Sequence, residues 1–349
     1  MQRGAAWNAA KKGGAGVLGL FLFILALQLL KASAKGLGGV VTGIGVDSPW
    51  SALGFGWLFA YIVLSGSPVA AIALSFFASG ILDTMQTFLM IAGSRFGASF
   101  VVLLLGFIYL LRKRSGGRSL EMGVLSLLTT YVVYGIAIPI GVLILRAGTL
   151  DGFHPELPTS IFSFIDTVFG PTVRALAASL HPILLFAVGV GTILVAFHVF
   201  DKALPDLAEG SPVRGLERFV YRPIVMFGLG CVITLFTLSV SVSLGLLVPL
   251  SAKGIARREN VIPYIMGANI TTFVDTLLAT LLLGKDGAFT IVLVEMLSVA
   301  IVSIVVLLFF YGRFERILLY VSRFILRTRA SLTVFVVVIL VVPIVLLVI

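Results

Sequence analysis

The chain has 349 residues, of which 59% are hydrophobic and only 11% are charged. Soluble domains carry about 25% charged residues, so this composition excludes a soluble globular protein. Long apolar runs, for example residues 291–311 and 331–349, reach the roughly 18 to 20 residues that cross a bilayer as a helix. Because short alternating strands of the kind that form β-barrels do not occur, the sequence predicts an all-α, multi-pass membrane protein.

The formal net charge of +10 does not require nucleic acid as a partner. In a membrane protein, an excess of Lys and Arg is better explained by the positive-inside bias of the loops. The single cysteine, Cys231, excludes an intrachain disulfide and a Cys metal cluster. We therefore expect the lipid bilayer to be the main environment of the chain, with no nucleic-acid partner.

The apolar segments divide the chain into four parts, which are residues 1–118, 119–218, 219–311 and 312–349. The first part contains a span at about residues 15–30, a hairpin at residues 49–78 and a broken span at residues 84–111. Within the hairpin, Gly66 and Pro68 interrupt an apolar run. Since both residues break helices, we predict two half-length helices that enter and leave the membrane on one side, buried in protein or against a cavity.

The second part connects the halves through spans and a cytoplasmic loop, and the third part repeats the order of the first. The second part contains a span at residues 122–146, a short apolar piece at residues 161–169 and a span at about residues 173–200. The third contains a hairpin at residues 220–251, a broken span at residues 260–283 and a span at residues 287–311. The last part is a basic segment followed by a final transmembrane helix.

Loop charges predict the orientation of the spans. If the basic loop at residues 112–118 is cytoplasmic, the amino terminus and the other basic loops are cytoplasmic too, while the acid-rich loop at residues 151–166 is outside. This distribution agrees with the positive-inside rule. The hairpin near Ser65 then opens outward and the hairpin near Ser241 opens inward, so the two halves are predicted to be inverted repeats.

The halves also align in sequence. Residues 64–98 match residues 238–272 without a gap at an offset of 174, and the match includes a pair of serines and Gly93 with Gly267. Inverted repeats with broken helices indicate alternating access around a site at the membrane midplane, because unwound backbone offers amides and carbonyls to an ion. Small residues also serve close helix packing in membranes, so packing is the alternative for any single serine.

The second copy resembles a known family at residues 267–272, which read Gly-Ala-Asn-Ile-Thr-Thr. Type II sodium/phosphate cotransporters and their bacterial relatives carry a Gln-Ser-Ser-Ser stretch, an apolar helix and then Gly-Ala-Asn-Ile-Gly-Thr-Thr or a close variant, all present twice. The apolar openings at residues 18–23 and 49–55 are similar to those that precede the family's first copy. The resemblance covers about residues 15–111 and 219–311.

The resemblance and the positions of the charges together predict two sets of site residues. The predicted substrate ligands are Ser65, Ser67, Ser94, Arg95, Ser239 and Ser241. The predicted cation ligands are Ser241, Ser243, Asn269, Thr271, Thr272 and Asp275. Asp275 is included because ionisable groups inside the membrane are functional candidates by default, and it ranks above Glu295 because it belongs to the motif-bearing helix.

The chain departs from the family pattern at several positions. Leu64 and Leu238 stand where the family has glutamine, and Arg95 stands where the first copy has asparagine. Such an arginine either clamps an oxyanion or replaces a coupling cation; alternatively, it extends toward an interface or pairs with an acid. His181 and His198 lack metal-ligand spacing, so packing is expected for both.

The sequence therefore predicts a secondary active transporter for inorganic phosphate or a similar small oxyanion, working by alternating access. The resemblance implies Na⁺ as the coupling ion, with H⁺ as the other option, and no further cofactor. We expect a prokaryotic plasma (inner) membrane location with a cytoplasmic amino terminus, and the sequence leaves a homo-oligomer open. Scattered histidines and one cysteine supply no catalytic set, so no enzyme is expected. The alternative is a degenerate family member that acts as a non-coupled channel or a non-transporting membrane partner.

Overall fold

The computed structural model describes residues 2–111, 118–150, 152–153, 155, 157–203, 222–245, 247 and 258–349, apart from the side chains of residues 2–11, 118, 201–203, 241 and 258–259. This part is all-helical, without strands. Its helices are α1 (Gln2–Ala34), α2 (Gly38–Gly43), α3 (Pro49–Val63), α4 (Ser67–Ala78), α5 (Thr84–Leu111), α6 (Arg118–Ala147), α7 (Thr159–Ser179), α8 (Pro182–Ala203), α9 (Pro223–Thr237), α10 (Val240–Gly245), α11 (Arg258–Thr271), α12 (Phe273–Leu283), α13 (Ala288–Val305), α14 (Tyr311–Leu326) and α15 (Arg329–Val348). A π-helical turn, Val306–Phe310, joins α13 to α14.

Eight helical stretches in this part are long and apolar enough to cross a membrane, by length and composition. They are α1, α5, α6, α7, α8, the pair α11–α12, the pair α13–α14 and α15. The most apolar 18-residue windows of α5 and of α11–α12 are 78% and 72% buried, whereas that of α15 is only 11% buried. The chain is therefore a multi-pass membrane protein whose two motif-bearing stretches lie at the centre of the bundle.

Local sequence determines where α3 and α4 begin and end. Ser48 caps α3 by accepting from the Ser51 amide, and the Ser51 hydroxyl accepts from the Ser48 amide in return, which forms a capping box. The helix ends at Leu64, which has a left-handed backbone with φ 56°. After Leu64 and two more residues, α4 starts at Ser67. The interruption thus includes Gly66 of the predicted hairpin, and Pro68 lies in the first turn of α4.

The second copy has the same kind of interruption. α9 ends before Leu238, whose φ of 49° is also left-handed, and α10 starts at Val240. Leu64 and Leu238 are the only non-glycine residues with positive φ in the part of the chain that the structure describes, and they are 174 residues apart. The remainder of the predicted hairpin, residues 246 and 248–251, lies outside the described residues.

Replacing Leu64 by asparagine is expected to leave the protein more stable than replacing it by alanine. Asparagine tolerates the left-handed conformation, whereas alanine keeps most of the strain of about 1–2 kcal/mol that a Cβ creates there. Both variants lose the leucine side chain, so their difference reports mainly on the backbone. The thermal unfolding midpoint of the purified protein measures it, and equal midpoints for the two variants would contradict the expectation.

Glycines bring helices into main-chain contact in both copies. A Cβ added to any of four glycines would overlap a main-chain carbonyl of the neighbouring helix, so only glycine allows this approach. The contacts pack α3 against α5 and α9 against α11. In matched pairs they are Gly56 with Met90, Gly230 with Tyr264, Gly93 with Leu53 and Gly267 with Phe227. Each glycine and each partner in the second copy lies 174 residues after its counterpart in the first copy, so the two copies pack in the same way.

The predicted break in the first copy is wrong, because α5 is one continuous helix from Thr84 to Leu111. The Ser94 hydroxyl donates to the Ile91 carbonyl at 2.6 Å, so the polar residue is satisfied within the helix. Gly93 serves the close contact with α3 instead of opening a turn. The second copy is interrupted, but only at Thr272, between α11 and α12.

Two further boundaries differ from the prediction. The span predicted at about residues 173–200 is two helices, since α7 incorporates residues 161–169 and ends before Leu180, and α8 starts at Pro182. The proline lacks the amide that a continuous helix needs, and it disfavours a helical conformation in the residue before it. Most of the basic segment after residue 311 is the helix α14, which packs against α6 and α15. α7 adds a candidate span that the predicted orientation did not include.

Candidate functional site

Arg95 lies at the centre of the bundle, in the middle of α5, and only 3% of its surface is exposed. Its Nη2 donates to the Thr276 hydroxyl at 2.7 Å, and its Nη1 donates to the Thr272 hydroxyl at 3.4 Å. The guanidinium carbon lies 4.6 Å from the centroid of the Phe273 ring, which is a cation–π contact. Arg95 of the first copy therefore binds to the interrupted helix of the second.

The tip of the first hairpin lies against the same guanidinium. A Cβ on Gly66 would lie 3.0 Å from the Ser94 carbonyl oxygen and 3.3 Å from Arg95 Nη1, so the tip has little room for a side chain. The next residue, Ser67, is buried, and its hydroxyl faces the carboxylate of Asp275. The hairpin, α5 and α12 therefore converge on one polar cluster.

Two buried carboxylates lie in the electrostatic field of Arg95. Asp275 on α12 is 4% exposed and accepts from the Thr276 hydroxyl at 2.8 Å. Glu295 on α13 is 2% exposed, and neither of its carboxylate oxygens has a hydrogen-bond partner among the described residues. Neither carboxylate lies within 4.0 Å of the arginine nitrogens. The cluster thus holds opposite charges that are close enough to interact but form no direct ion pair.

Asn269 extends the cluster toward α6. It is 2% exposed, its Nδ2 donates to the Thr130 hydroxyl at 3.2 Å, and its main-chain carbonyl accepts from the Tyr134 hydroxyl at 3.3 Å. Thr272 and Thr276 follow Asn269 at intervals of three and seven, so all three lie on one helical face. This face presents the hydroxyls of Thr272 and Thr276 to Arg95 and the amide of Asn269 to α6.

A cavity of about 390 Å³ lies where the two matched interruptions meet. Ser65 lines it from the first copy, Ser239 lines it from the second, and His198 of α8 completes one side. Ligand pockets range from about 300 to 1,000 Å³, so the space is large enough for a small anion with water. Two predicted substrate ligands that are 174 residues apart therefore share one cavity.

Comparisons of the chain with protein-family models, curated proteins and solved structures found no match. The resemblance to the type II sodium/phosphate cotransporters therefore stays a prediction from sequence motifs. Among the described residues, no group of three or more His, Cys, Asp or Glu is placed to hold a metal ion. The chemistry of the site has to be interpreted from the central cluster and the cavity.

Several predicted ligands make hydrogen bonds within their own helix or to a neighbouring helix. Their partners are the Ile91 carbonyl for Ser94, the Cys231 carbonyl for Thr271, and Thr234 and Tyr264 for Ser243. Ser239 accepts from the Val242 amide at 3.3 Å and so caps α10 as well as lining the cavity. The side chain of Ser241 lies outside the described residues. The structure therefore brings only part of the predicted set to the central cluster or the cavity.

The structure adds four residues that the sequence did not place in the site, namely Glu295, Thr276, Tyr134 and His198. Thr276 shares a helical face with Asn269, and this spacing could have indicated it. Glu295 ranked below Asp275 because it lies outside the motif. The positions of Tyr134 and His198 depend on how α6 and α8 pack, which no local pattern encodes.

Proposed function

We propose that this protein is a secondary active transporter that moves inorganic phosphate or a similar small oxyanion by alternating access, driven by a sodium gradient. The observation that carries the proposal is that the two matched interruptions share one cavity, and that the tip of the first hairpin lies between this cavity and a buried arginine. The proposed location is the plasma membrane, with a cytoplasmic amino terminus.

The matched contacts support an origin of the two halves as copies of one unit, and the inverted insertion and the re-entrant hairpins are part of the proposal. A leucine with a left-handed backbone occurs at the same position in both halves, and so do the close contacts between glycines and main-chain carbonyls of the neighbouring helix. Two such units, inserted with opposite orientation, give two alternative conformations of similar energy, one open to each side of the membrane. A site between them is then exposed alternately to the two sides.

The hairpin tip connects the cavity to the arginine. Ser65 lines the cavity, Gly66 contacts the guanidinium and Ser67 faces Asp275, so three consecutive residues lead from the cavity to the cluster. A guanidinium has five N–H donors, and Arg95 uses its two terminal nitrogens on neutral threonine hydroxyls. A phosphate oxyanion is a stronger acceptor than a hydroxyl, which supports Arg95 as the anion ligand.

The oxygen atoms around Asp275 support a cation site. The Asp275 carboxylate and the hydroxyls of Ser67 and Thr276 are oxygen ligands of the type that hard cations prefer. One oxygen of Asp275, Oδ2, has no hydrogen-bond partner in the described part of the chain. We propose that Na⁺ binds on this side of Arg95 and that the anion binds on the cavity side.

A non-transporting or non-coupled protein is the second candidate. Leucines replace both family glutamines, and Arg95 already bonds to two hydroxyls of the second copy. Uptake of labelled phosphate into proteoliposomes, with and without a sodium gradient, separates the candidates. Sodium-driven accumulation above the external level supports the transporter, equilibration without accumulation indicates a channel, and absence of both binding and uptake indicates the non-transporting protein.

Replacing Asn269 by alanine is expected to lower phosphate uptake more than about tenfold while insertion into the membrane stays normal. The amide lies on the same helical face as the two threonines that bind Arg95, and its loss removes one polar ligand. Thr130→Val is the matched control, because it removes only the hydroxyl to which Asn269 donates. Similar uptake in the two variants would show that the Asn269–Thr130 bond serves packing and that Asn269 is not a ligand.

A further inference from the structure

Glu295 is the buried ionisable group that the proposed function leaves without a role. It is 2% exposed, and neither carboxylate oxygen receives a hydrogen bond from a described residue. The Ser298 hydroxyl, one turn later, donates to the Val294 carbonyl instead. Nothing in the described surroundings therefore supplies the donors that stabilise an ionised carboxylate in protein.

The charged and titratable groups that face Glu295 come from the helices packed against α13. Arg95 faces it from α5 and Tyr134 faces it from α6. α4 carries no titratable residue, and the single one on α12, Asp275, faces the same arginine. On α11, the Tyr264 hydroxyl is paired with Ser243.

The charge of the cluster does not balance when all its groups are ionised. One guanidinium and two carboxylates leave one excess negative charge in the centre of the bundle, and a proton or a monovalent cation can neutralise it. A metal cation requires several oxygen ligands around it. Glu295 has no polar neighbour within hydrogen-bonding distance among the described residues, so its surroundings favour the proton.

We infer that Glu295 carries a proton in the conformation described here and is a proton-coupling site of the transport cycle, an inference that rests on the proposed function. With Glu295 protonated, Arg95 balances Asp275 and keeps its bonds to the threonines of α11–α12. When Glu295 releases its proton, it offers Arg95 a second charged partner. The guanidinium then moves from α12 toward α13, so proton release weakens the bonds of Arg95 to Thr272 and Thr276.

The first test is infrared spectroscopy of the purified protein in lipid at neutral pH, which does not depend on transport. We expect the carbonyl stretch of a protonated carboxylic acid in the wild type and in Asp275→Asn, and its loss in Glu295→Gln. If Glu295→Gln does not fold, Glu295→Asp keeps a carboxyl on a shorter chain, and the band is expected to shift. A band that persists in Glu295→Gln, stays unshifted in Glu295→Asp or is absent from the wild type overturns the inference.

The second test measures phosphate accumulation in proteoliposomes under an inward proton gradient. A gradient of about one pH unit raises accumulation up to about tenfold for each proton carried. We expect this increase in the wild type and not in Glu295→Gln, which also controls for the change in the ionisation of phosphate itself. An equal increase in both overturns the inference.

The two tests distinguish failure of the inference from failure of the proposed function. The Glu295 band without any phosphate uptake supports a protonated Glu295 and overturns both the transport function and the coupling role. Sodium-driven uptake without the band leaves the transporter in place and overturns the proton site.

Discussion

Replacing Arg95 by methionine is expected to reduce phosphate uptake more than about 100-fold and to destabilise the protein. The variant loses two hydrogen bonds to α11–α12 and the contact with Phe273, and it leaves Asp275 buried without a compensating positive charge. Removing one member of a direct buried ion pair typically costs about 3–5 kcal/mol, and because Arg95 forms no direct ion pair we expect a loss of about 3 kcal/mol, at the lower end. Uptake in proteoliposomes and the thermal unfolding midpoint measure the two effects.

Three further variants separate charge from packing. Arg174 is an exposed arginine paired with Asp166 at 3.2 Å, so Arg174→Met should change neither quantity measurably. Arg95→Lys keeps the positive charge but loses the planar guanidinium with its fixed donors. Relative to Arg95→Met, we expect it to restore stability more than phosphate uptake. If Glu295 carries a proton, as inferred above, adding Glu295→Gln to Arg95→Met should leave the midpoint unchanged, and a rise would indicate an ionised Glu295 in the single variant. An Arg95→Met protein that transports normally would exclude Arg95 as the anion ligand.

Replacing Gly230 by alanine is expected to destabilise the protein by about 3 kcal/mol or more. The new Cβ would overlap the main-chain carbonyl of Tyr264, which cannot rotate away as a side chain would. Inserting a methylene into a packed core typically costs about 1–3 kcal/mol, and a main-chain obstacle places this site at the upper end. The thermal unfolding midpoint and resistance to protease measure the loss.

Gly228 provides the matched control on the same helix. A Cβ at Gly228 would meet no atom within 4 Å, so Gly228→Ala should be neutral or slightly stabilising. The equivalent position in the first copy, Gly56, should respond like Gly230, because its Cβ would overlap the Met90 carbonyl. If alanine at residues 228 and 230 had the same effect, main-chain contact would not limit the packing of α9 on α11.

The sequence predicted the features that depend on local chemistry. Composition was sufficient for a multi-pass helical protein, and the glycine and proline pattern located the first interruption, near residues 64–66; the second, at residues 238–239, has no glycine or proline beside it. A proline is disfavoured inside a helix but fits its first turn, which is where Pro68 lies in α4. The predicted shared offset of 174 appears in the structure as equivalent glycine contacts, because the same residues allow the same close approach.

The sequence could not predict which of several possible hydrogen-bond partners a polar side chain would choose. Ser94 has a hydroxyl that either opens a helix or bonds within it, and packing against α3 selects the second outcome. Arg95 was identified as unusual, but its bonds to Thr272 and Thr276 connect residues 177 and 181 positions apart. Neither sequence separation nor periodicity specifies such a contact, which exists only once the two copies are assembled.

The glycine contacts also bear on how the molecule can move. Main-chain contact holds α3 tightly against α5 and α9 against α11, so we expect each pair to move as a unit. Between these bodies, the bonds from Arg95 to Thr272 and Thr276 involve only side chains, which can change partners without disturbing a helix. We therefore expect relative movement of the two pairs along the surface that carries Arg95. An anion bound by this arginine would lie on the surface between the two helix pairs, so its binding energy would act directly on their relative position.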